Sequence, residues 1–250
     1  MTLLALLKCV HYALLGVTAL SGAMAWFGQG DRWRWMGWLV LVLALAQATV
    51  SAVILNRPPL AGTFEAAVMF TLWLSVLALI PCGAAEGQRR LAALCWWAGT
   101  ALMALFLVAS DRFYPDWYMY KYIWSRLFFT LRMASLAVFL YASLAALAAV
   151  GTAPEVRTTL LRWSRNFLLL GTAVFLAGEF SGFTWRMQWM GDYWCWNANF
   201  LEATLFFLLV TAAAHLPPSW AAKPRLRITA QAFPGLFMIC LFMTFMLLEP

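Results

Sequence analysis

Long apolar segments, separated by short polar connections, follow one another along this sequence and limit the folds that it can adopt. A helix needs about 20 predominantly apolar residues to cross the hydrocarbon core of a bilayer, because each residue advances the helix by only about 1.5 Å. By that rule the sequence predicts about eight transmembrane helices. They lie at residues 9–28, 36–55, 64–82, 91–109, 127–151, 165–183, 199–216 and 230–248.

The composition agrees with a chain that folds in lipid. It is 64% hydrophobic and 11% charged, whereas a soluble domain carries about 25% charged residues. Backbone polar groups in lipid must be satisfied within the chain, so the predicted fold is an all-α membrane bundle. No polar stretch is long enough for a second domain, so residues 1–250 are expected to form a single transmembrane domain whose partner is the lipid bilayer.

Basic residues are distributed unevenly between the predicted connections. The net charge is +7, but the Lys and Arg residues are scattered between apolar runs, so a nucleic-acid partner is not expected. Connections after the odd-numbered spans carry ten basic residues and the opposite side carries six. Because Lys and Arg favour cytoplasmic loops, the ten-residue side is predicted to be cytoplasmic, with both termini on the other side. The first apolar run is interpreted as a retained helix rather than as a signal peptide.

The five cysteines argue against covalent haem and against a cysteine metal site. They lie far apart, mostly inside apolar runs, and form neither CxxC nor CxxCH. Buried thiols that act as small apolar side chains are the simpler interpretation.

Two connections are expected to be long external loops, at residues 110–126 and 184–198, and both are rich in Trp and Tyr. Four tryptophans fall within twelve positions: Trp185, Trp189, Trp194 and Trp196. One interpretation is an aromatic belt at the membrane interface. The other is a flat aromatic platform for a planar, hydrophobic ligand, since four rings exceed what anchoring requires.

The stretch that runs from Trp189 to His215 reads WMGDYWCWNANFLEATLFFLLVTAAAH. It resembles the tryptophan-rich motif of the CcsA/ResC cytochrome c assembly family, in which a membrane helix after the motif ends in a histidine. The positions that match in register are Gly191, Tyr193, Trp194, Trp196 and His215. Weaker similarities surround Glu65 and the pair Tyr141-Ala142.

This resemblance implies a protein that binds or presents non-covalent haem for cytochrome c maturation or for a membrane redox complex, in a bacterial inner (plasma) membrane. His215 would ligate the iron near the cytoplasmic side. The other implied cofactor-binding residues are Trp189, Tyr193, Trp194, Trp196 and Asn197. The implied partners are a ResB/CcsB-like or other membrane subunit and a c-type cytochrome.

The sequence also departs from the family's pattern. Asn197 stands where the family has Asp, and Met190 replaces the first Trp. One of the family's external histidines would fall at Arg132-Met133, and the other would follow the eighth span. These departures favour the alternative function, a non-catalytic anchoring subunit of a respiratory or multihaem cytochrome complex.

The chain resembles the haem-handling part of a cytochrome c synthetase, and no catalytic residue is assigned. A small-molecule transporter is less favoured, because no inverted repeat is visible.

Two histidines are available as iron ligands, and they should lie at opposite membrane faces. His11 is near the beginning of the first span and His215 near the end of the seventh, and both spans run in the same direction. The two histidines therefore cannot both ligate the iron of one haem. For His215 the alternatives are an iron ligand and a hydrogen-bonded residue at a helix end. For His11 a structural role is preferred.

Charged side chains inside membrane spans are usually paired or functional. Arg132 in the fifth span and Glu179 in the sixth are both in the predicted outer third. Because consecutive spans are usually neighbours, an ion pair between them is expected. The functional alternative is that Arg132 binds a haem propionate.

Overall fold

A computed structural model describes residues 3–27, 31–56, 59, 63–109, 121–191 and 198–248. Within these ranges the chain is helical between its turns and has no strand. The described residues form nine helices: α1 Leu3–Phe27, α2 Arg32–Leu55, α3 Thr63–Leu79, α4 Ala85–Ala109, α5 Ile123–Ala148, α6 Pro154–Met190, α7 Ala198–Ala214, α8 Pro218–Ala221 and α9 Pro224–Leu248.

The helices group into two compact units, Met1–Tyr118 and Met119–Pro250. The first unit contains α1 to α4 and the second contains α5 to α9. The single transmembrane domain expected from the sequence stays a prediction.

In the first unit, α1 and α3 each contact both α2 and α4, so the four helices form an antiparallel bundle. Trp96 of α4 is fully buried at its centre. Its indole ring lies beside Gly37 of α2, where a Cβ atom would come within 2.5 Å of the ring. The absence of a side chain at Gly37 therefore makes room for the largest buried ring of this unit.

The second unit is built around α5, which packs against α6 and α9, while α7 contacts α6 and α9. Every residue of α5 from Met133 to Ala146 is buried. A helix that is apolar and buried on all sides is a central helix rather than an amphipathic surface one. Small side chains allow this close packing: Gly171 and Gly178 of α6 contact α5 directly.

The hydroxyl group of Ser143 in α5 forms hydrogen bonds with the backbone of α9. Pro234 lies inside α9, and the next residue, Gly235, donates its backbone N–H to Ser143 Oγ over 3.0 Å. The same hydroxyl lies 3.5 Å from the carbonyl oxygen of Gln231 and donates to it. Ser143 thus bridges a donor and an acceptor that would pair with each other in a regular helix. Both backbone groups keep a hydrogen-bond partner in this way, which a backbone in lipid requires.

Five helices are long and apolar enough to cross a membrane within the searched, described residues: Leu7–Phe27, Arg32–Ile54, Ile123–Ala148, Pro154–Trp189 and Pro224–Thr244. The apolar parts of α3 and α7 are shorter, at Glu65–Leu79 and Phe200–Ala214. The all-helical class is confirmed for the described residues, whereas the number of eight spans stays a prediction.

The predicted bounds of the sixth span, 165–183, are wrong, because α6 runs for 37 residues from Pro154 to Met190. Counting apolar residues missed both ends, which are helical but are interrupted by charged and polar residues such as Arg157 and Arg186. Pro154 occupies a first-turn position that needs no backbone N–H donor, and Gly191 ends the helix at a left-handed φ of 66°. Residues 184–190 of the predicted external loop 184–198 are therefore helical, and their position outside the membrane stays a prediction. Residues 123–126 of the predicted loop 110–126 are likewise helical and belong to α5.

Candidate functional site

His215 directly follows the last turn of α7 and is exposed. Its Nδ1 atom lies 3.0 Å from the carbonyl oxygen of Thr211, one turn back along the helix. The backbone N–H of His215 donates to the same carbonyl, also over 3.0 Å. Prolines at 217 and 218 then stop the helix, since proline cannot continue the hydrogen-bond ladder.

This hydrogen bond determines which ring nitrogen of His215 carries the proton. A carbonyl oxygen can only accept, so Nδ1 must be the donor and a neutral ring then keeps its lone pair on Nε2. A backbone carbonyl that holds Nδ1–H is the usual arrangement of a metal-binding imidazole, because it fixes the tautomer and the ring orientation. The exposed Nε2 is therefore a suitable axial ligand for haem iron.

Arg165 of α6 hydrogen-bonds to the end of α7, next to His215. Its Nε–H donates to the carbonyl oxygen of Ala214 over 3.0 Å. The last carbonyls of a helix have no partner within the helix, so a guanidinium group there stabilises the end of α7 by hydrogen bonding and by complementing the helix dipole. The bond also ties α6 to α7 beside His215.

The predicted aromatic platform falls largely outside the described residues, which exclude Tyr193, Trp194, Trp196 and Asn197. Trp189 is described and lies in the last turn of α6. Its ring is edge-on to that of Tyr122, with the centroids 4.4 Å apart. Trp189 thus packs against the beginning of α5, and a role in a platform stays a prediction.

The predicted ion pair between Arg132 and Glu179 is present. Arg132 Nη1 lies 3.2 Å from Glu179 Oε1, and both side chains are partly buried. The guanidinium carbon of Arg132 also lies 5.5 Å from the centroid of the Phe128 ring. Glu202 of α7 is close enough for its charge to act on Glu179. The structural alternative for Arg132 therefore has direct support, and propionate binding stays untested.

The described site residues do not come together in one place. Arg165 contacts α7 next to His215, and Glu179 contacts Arg132. Positions 165 and 179 of α6 are separated by about 21 Å along the helix axis at 1.5 Å per residue. His215 is thus at one end of the second unit, whereas Arg132 and Trp189 are towards the other end. One haem cannot be held by all three.

His11 belongs to a polar group inside the first unit. It is fully buried, and its Nδ1 atom lies 3.1 Å from Nε2 of Gln47, which is also fully buried. Buried Glu65 and Ser51 lie at the same end of this bundle, where α1 and α3 begin and α2 ends. The structural role expected for His11 fits this pairing between α1 and α2.

Sequence reasoning missed two polar residues that the structure shows to be important, Gln47 and Ser143. A signal existed for Gln47, because an amide inside an apolar span needs a hydrogen-bond partner. No local signal existed for Ser143, whose partners on α9 are 88 and 92 positions away in the sequence.

No group of three or more His, Cys, Asp or Glu side chains converges as a metal site among the residues that the structure describes. A haem site would not need one, since a single histidine can supply an axial ligand. The part of the chain that the structure describes is thus all-helical, with several helices long and apolar enough to cross a membrane. Comparison with models of known protein families finds no match, and no curated protein sequence matches this chain. The resemblance to the CcsA/ResC family stays a prediction from the motif.

Proposed function

We propose that this chain is a multi-pass membrane protein that binds haem through His215, as a divergent relative of the CcsA/ResC cytochrome c assembly proteins. The observation that carries the proposal is the hydrogen bond from Nδ1 of His215 to the Thr211 carbonyl. In this tautomer Nε2 of the exposed His215 carries no proton, so its lone pair can bind iron at the end of a membrane helix.

In this function the chain contributes binding and orientation. The Thr211 carbonyl holds the tautomer and the direction of the imidazole ring, and the bond from Arg165 to Ala214 keeps the end of α7 in place. When bound, haem supplies a redox-active iron, and the protein's part is to position it and to set its electrostatic surroundings.

The proposed setting is the inner (plasma) membrane of a bacterium, crossed about eight times, with His215 on the cytoplasmic side. The ten basic residues in the connections after odd-numbered spans support this orientation. His215 is the only histidine in the second half of the sequence. A second axial ligand would therefore come from a ResB/CcsB-like or other membrane subunit. The recipient of the haem would be a c-type cytochrome.

The experiment is an absorption spectrum, oxidised and reduced, of the protein purified in mild detergent with co-purifying partners retained. We expect a haem Soret band that is lost in a His215→Ala variant. His11→Gln is the matched control, because it removes the other histidine and leaves a side chain that can hydrogen-bond Gln47. A band that survived His215→Ala but disappeared in His11→Gln would assign the iron to His11 and contradict the proposal.

A non-catalytic anchoring role is the second candidate, and Trp189 favours it. Its ring packs on Tyr122 at a centroid distance of 4.4 Å, so it serves helix packing. The anchoring role would be supported if the purified complex contained a cytochrome partner and this chain held no haem after it was separated from that partner.

A further inference from the structure

One end of the second unit carries an excess of basic side chains. It is the end at which α5 and α7 stop and α6 and α9 begin, and we refer to it as the Ala214 end. Among residues 145–168 and 211–230 the sequence contains a single acidic residue, Glu155. The basic residues in those ranges are Arg157, Arg162, Arg165, Lys223, Arg225 and Arg227.

Three of these arginines are brought together by the packing. The bond from Arg165 to the Ala214 carbonyl fixes α6 against the end of α7. The contacts of Ser143 with Gln231 and Gly235 fix the position of α9 along α5. Arg162 and Arg165 are one turn apart on α6, and Arg227, near the beginning of α9, is within range of the charges of both.

In the described part of the second unit, the ion pair of Arg132 with Glu179 lies towards the opposite end, and the charges that act on Arg227 are those of Arg165 and Arg162. Three guanidinium groups within Coulombic range repel one another, so an anion bound between them would lower the free energy of the arrangement. Arg165 uses its Nε–H on Ala214 and keeps the N–H groups of its two terminal nitrogens for such an anion.

The surface next to the arginines is apolar on the side that continues along α6. Arg162, Arg165 and Leu169 are three and four residues apart, so they share one face of the helix. Leu169 is 39% exposed and the adjacent Leu170 is 48% exposed. A ligand for this face therefore has an anionic end at the helix termini and an apolar part that runs along α6. Free phosphate has only the first of these features.

We propose that Arg162, Arg165 and Arg227 bind the phosphate of an acidic phospholipid headgroup, with the acyl chains against the exposed leucines of α6. Guanidinium groups suit this task because their planar N–H donors match phosphate oxygens two at a time. Basic pockets between transmembrane helices are known to bind acidic headgroups in this way. This site is additional to the haem proposal and does not depend on it.

The test is lipid binding by the full-length protein in detergent, measured by native mass spectrometry. The purified chain is titrated with phosphatidylglycerol, and separately with phosphatidylcholine, which has the same phosphate but no net charge. We expect phosphatidylglycerol to bind more tightly, and an Arg162→Gln, Arg227→Gln double variant to bind it about twenty-five-fold more weakly, roughly fivefold for each charge. Arg165 is kept because it supports the end of α7.

Two further variants control for charge and for folding. Arg32→Gln with Arg34→Gln removes two exposed basic residues of the first unit, and phosphatidylglycerol binding should not change. Arg162→Lys with Arg227→Lys keeps the charge but loses the paired N–H donors, so its binding of phosphatidylglycerol should lie between that of the wild type and that of the Gln variant. Equal loss in the Arg32, Arg34 control would contradict the site, and so would undiminished binding in the Arg162, Arg227 variant. Displacement of the lipid by millimolar inorganic phosphate would also overturn it, because it would make free phosphate the ligand.

Discussion

At the scale of single residues, the second unit depends on polar side chains whose partners are on neighbouring helices. Arg132 and Glu179 illustrate this, since the two partly buried charges pair with each other across α5 and α6. Removing one partner leaves a charge that is costly to bury. The same reasoning applies to neutral groups such as Ser143 and Gln47, which hydrogen-bond across helices.

We predict that Arg132→Ala lowers the free energy of unfolding by about 1–3 kcal/mol, because it leaves Glu179 partly buried without its partner. A double-mutant cycle with Glu179→Gln should give a coupling of about 1 kcal/mol. The measurement is unfolding equilibrium in mixed detergent micelles. Lys121→Ala serves as control, since this exposed residue should change the stability by less than about 0.5 kcal/mol. Additive effects of the two substitutions would exclude the pair as a stabilising contact.

At the scale of helices, close contact between α5 and α9 requires the absence of a side chain at Gly235. A Cβ atom there would collide with the backbone carbonyl of Phe139 and with Ser143 Oγ. Backbone atoms cannot move aside as the end of a flexible side chain can, so this contact leaves no room for alanine.

Gly235→Ala is therefore expected to destabilise the protein by about 3 kcal/mol, through overpacking and the loss of the hydroxyl bridge. Gly16→Ala is the matched control in α1, since an added Cβ there meets nothing within 4 Å. Alanine's higher helix propensity should leave its stability unchanged or raise it by up to about 1 kcal/mol. Thermal unfolding of both variants in the same detergent makes the comparison, and equal stabilities would show that α5 and α9 are not in such close contact.

The sequence predicted the apolar centres of the main helices well and their ends poorly. Apolar runs identify the part of a helix that can lie in lipid, but α6 extends beyond the predicted span at both ends. At its beginning the buried residues continue through Leu160 and Leu161, which lie between polar residues in the sequence. The Arg132–Glu179 pair was predictable because it joins consecutive helices. The bridge between Ser143 and Gly235 was not, since it depends on how α9 packs against a helix distant in sequence.

At the scale of the whole molecule, the side of the membrane on which His215 lies depends on the orientation of the chain. We predict that Ser219, in α8, faces the cytoplasm and that Lys121, before α5, faces the opposite side. Both residues are exposed. Single cysteines placed at these positions in a cysteine-free background should differ in labelling by a membrane-impermeant maleimide. In intact spheroplasts we expect labelling of Lys121→Cys, and of Ser219→Cys only after permeabilisation. The reverse pattern would invert the topology and place His215 outside.

Chemical rescue distinguishes the proposed ligation of haem iron by His215 from a purely structural role of this residue. A His215→Gly variant, purified with its partners in mild detergent, should lack the Soret band of the wild-type protein. Added imidazole should restore the band, because the free ring can occupy the space that the side chain leaves and supply the same nitrogen to the iron. Restoration would separate ligation from any loss of folding. A wild-type protein without haem, or a His215→Gly variant with full haem content before imidazole is added, would contradict the account.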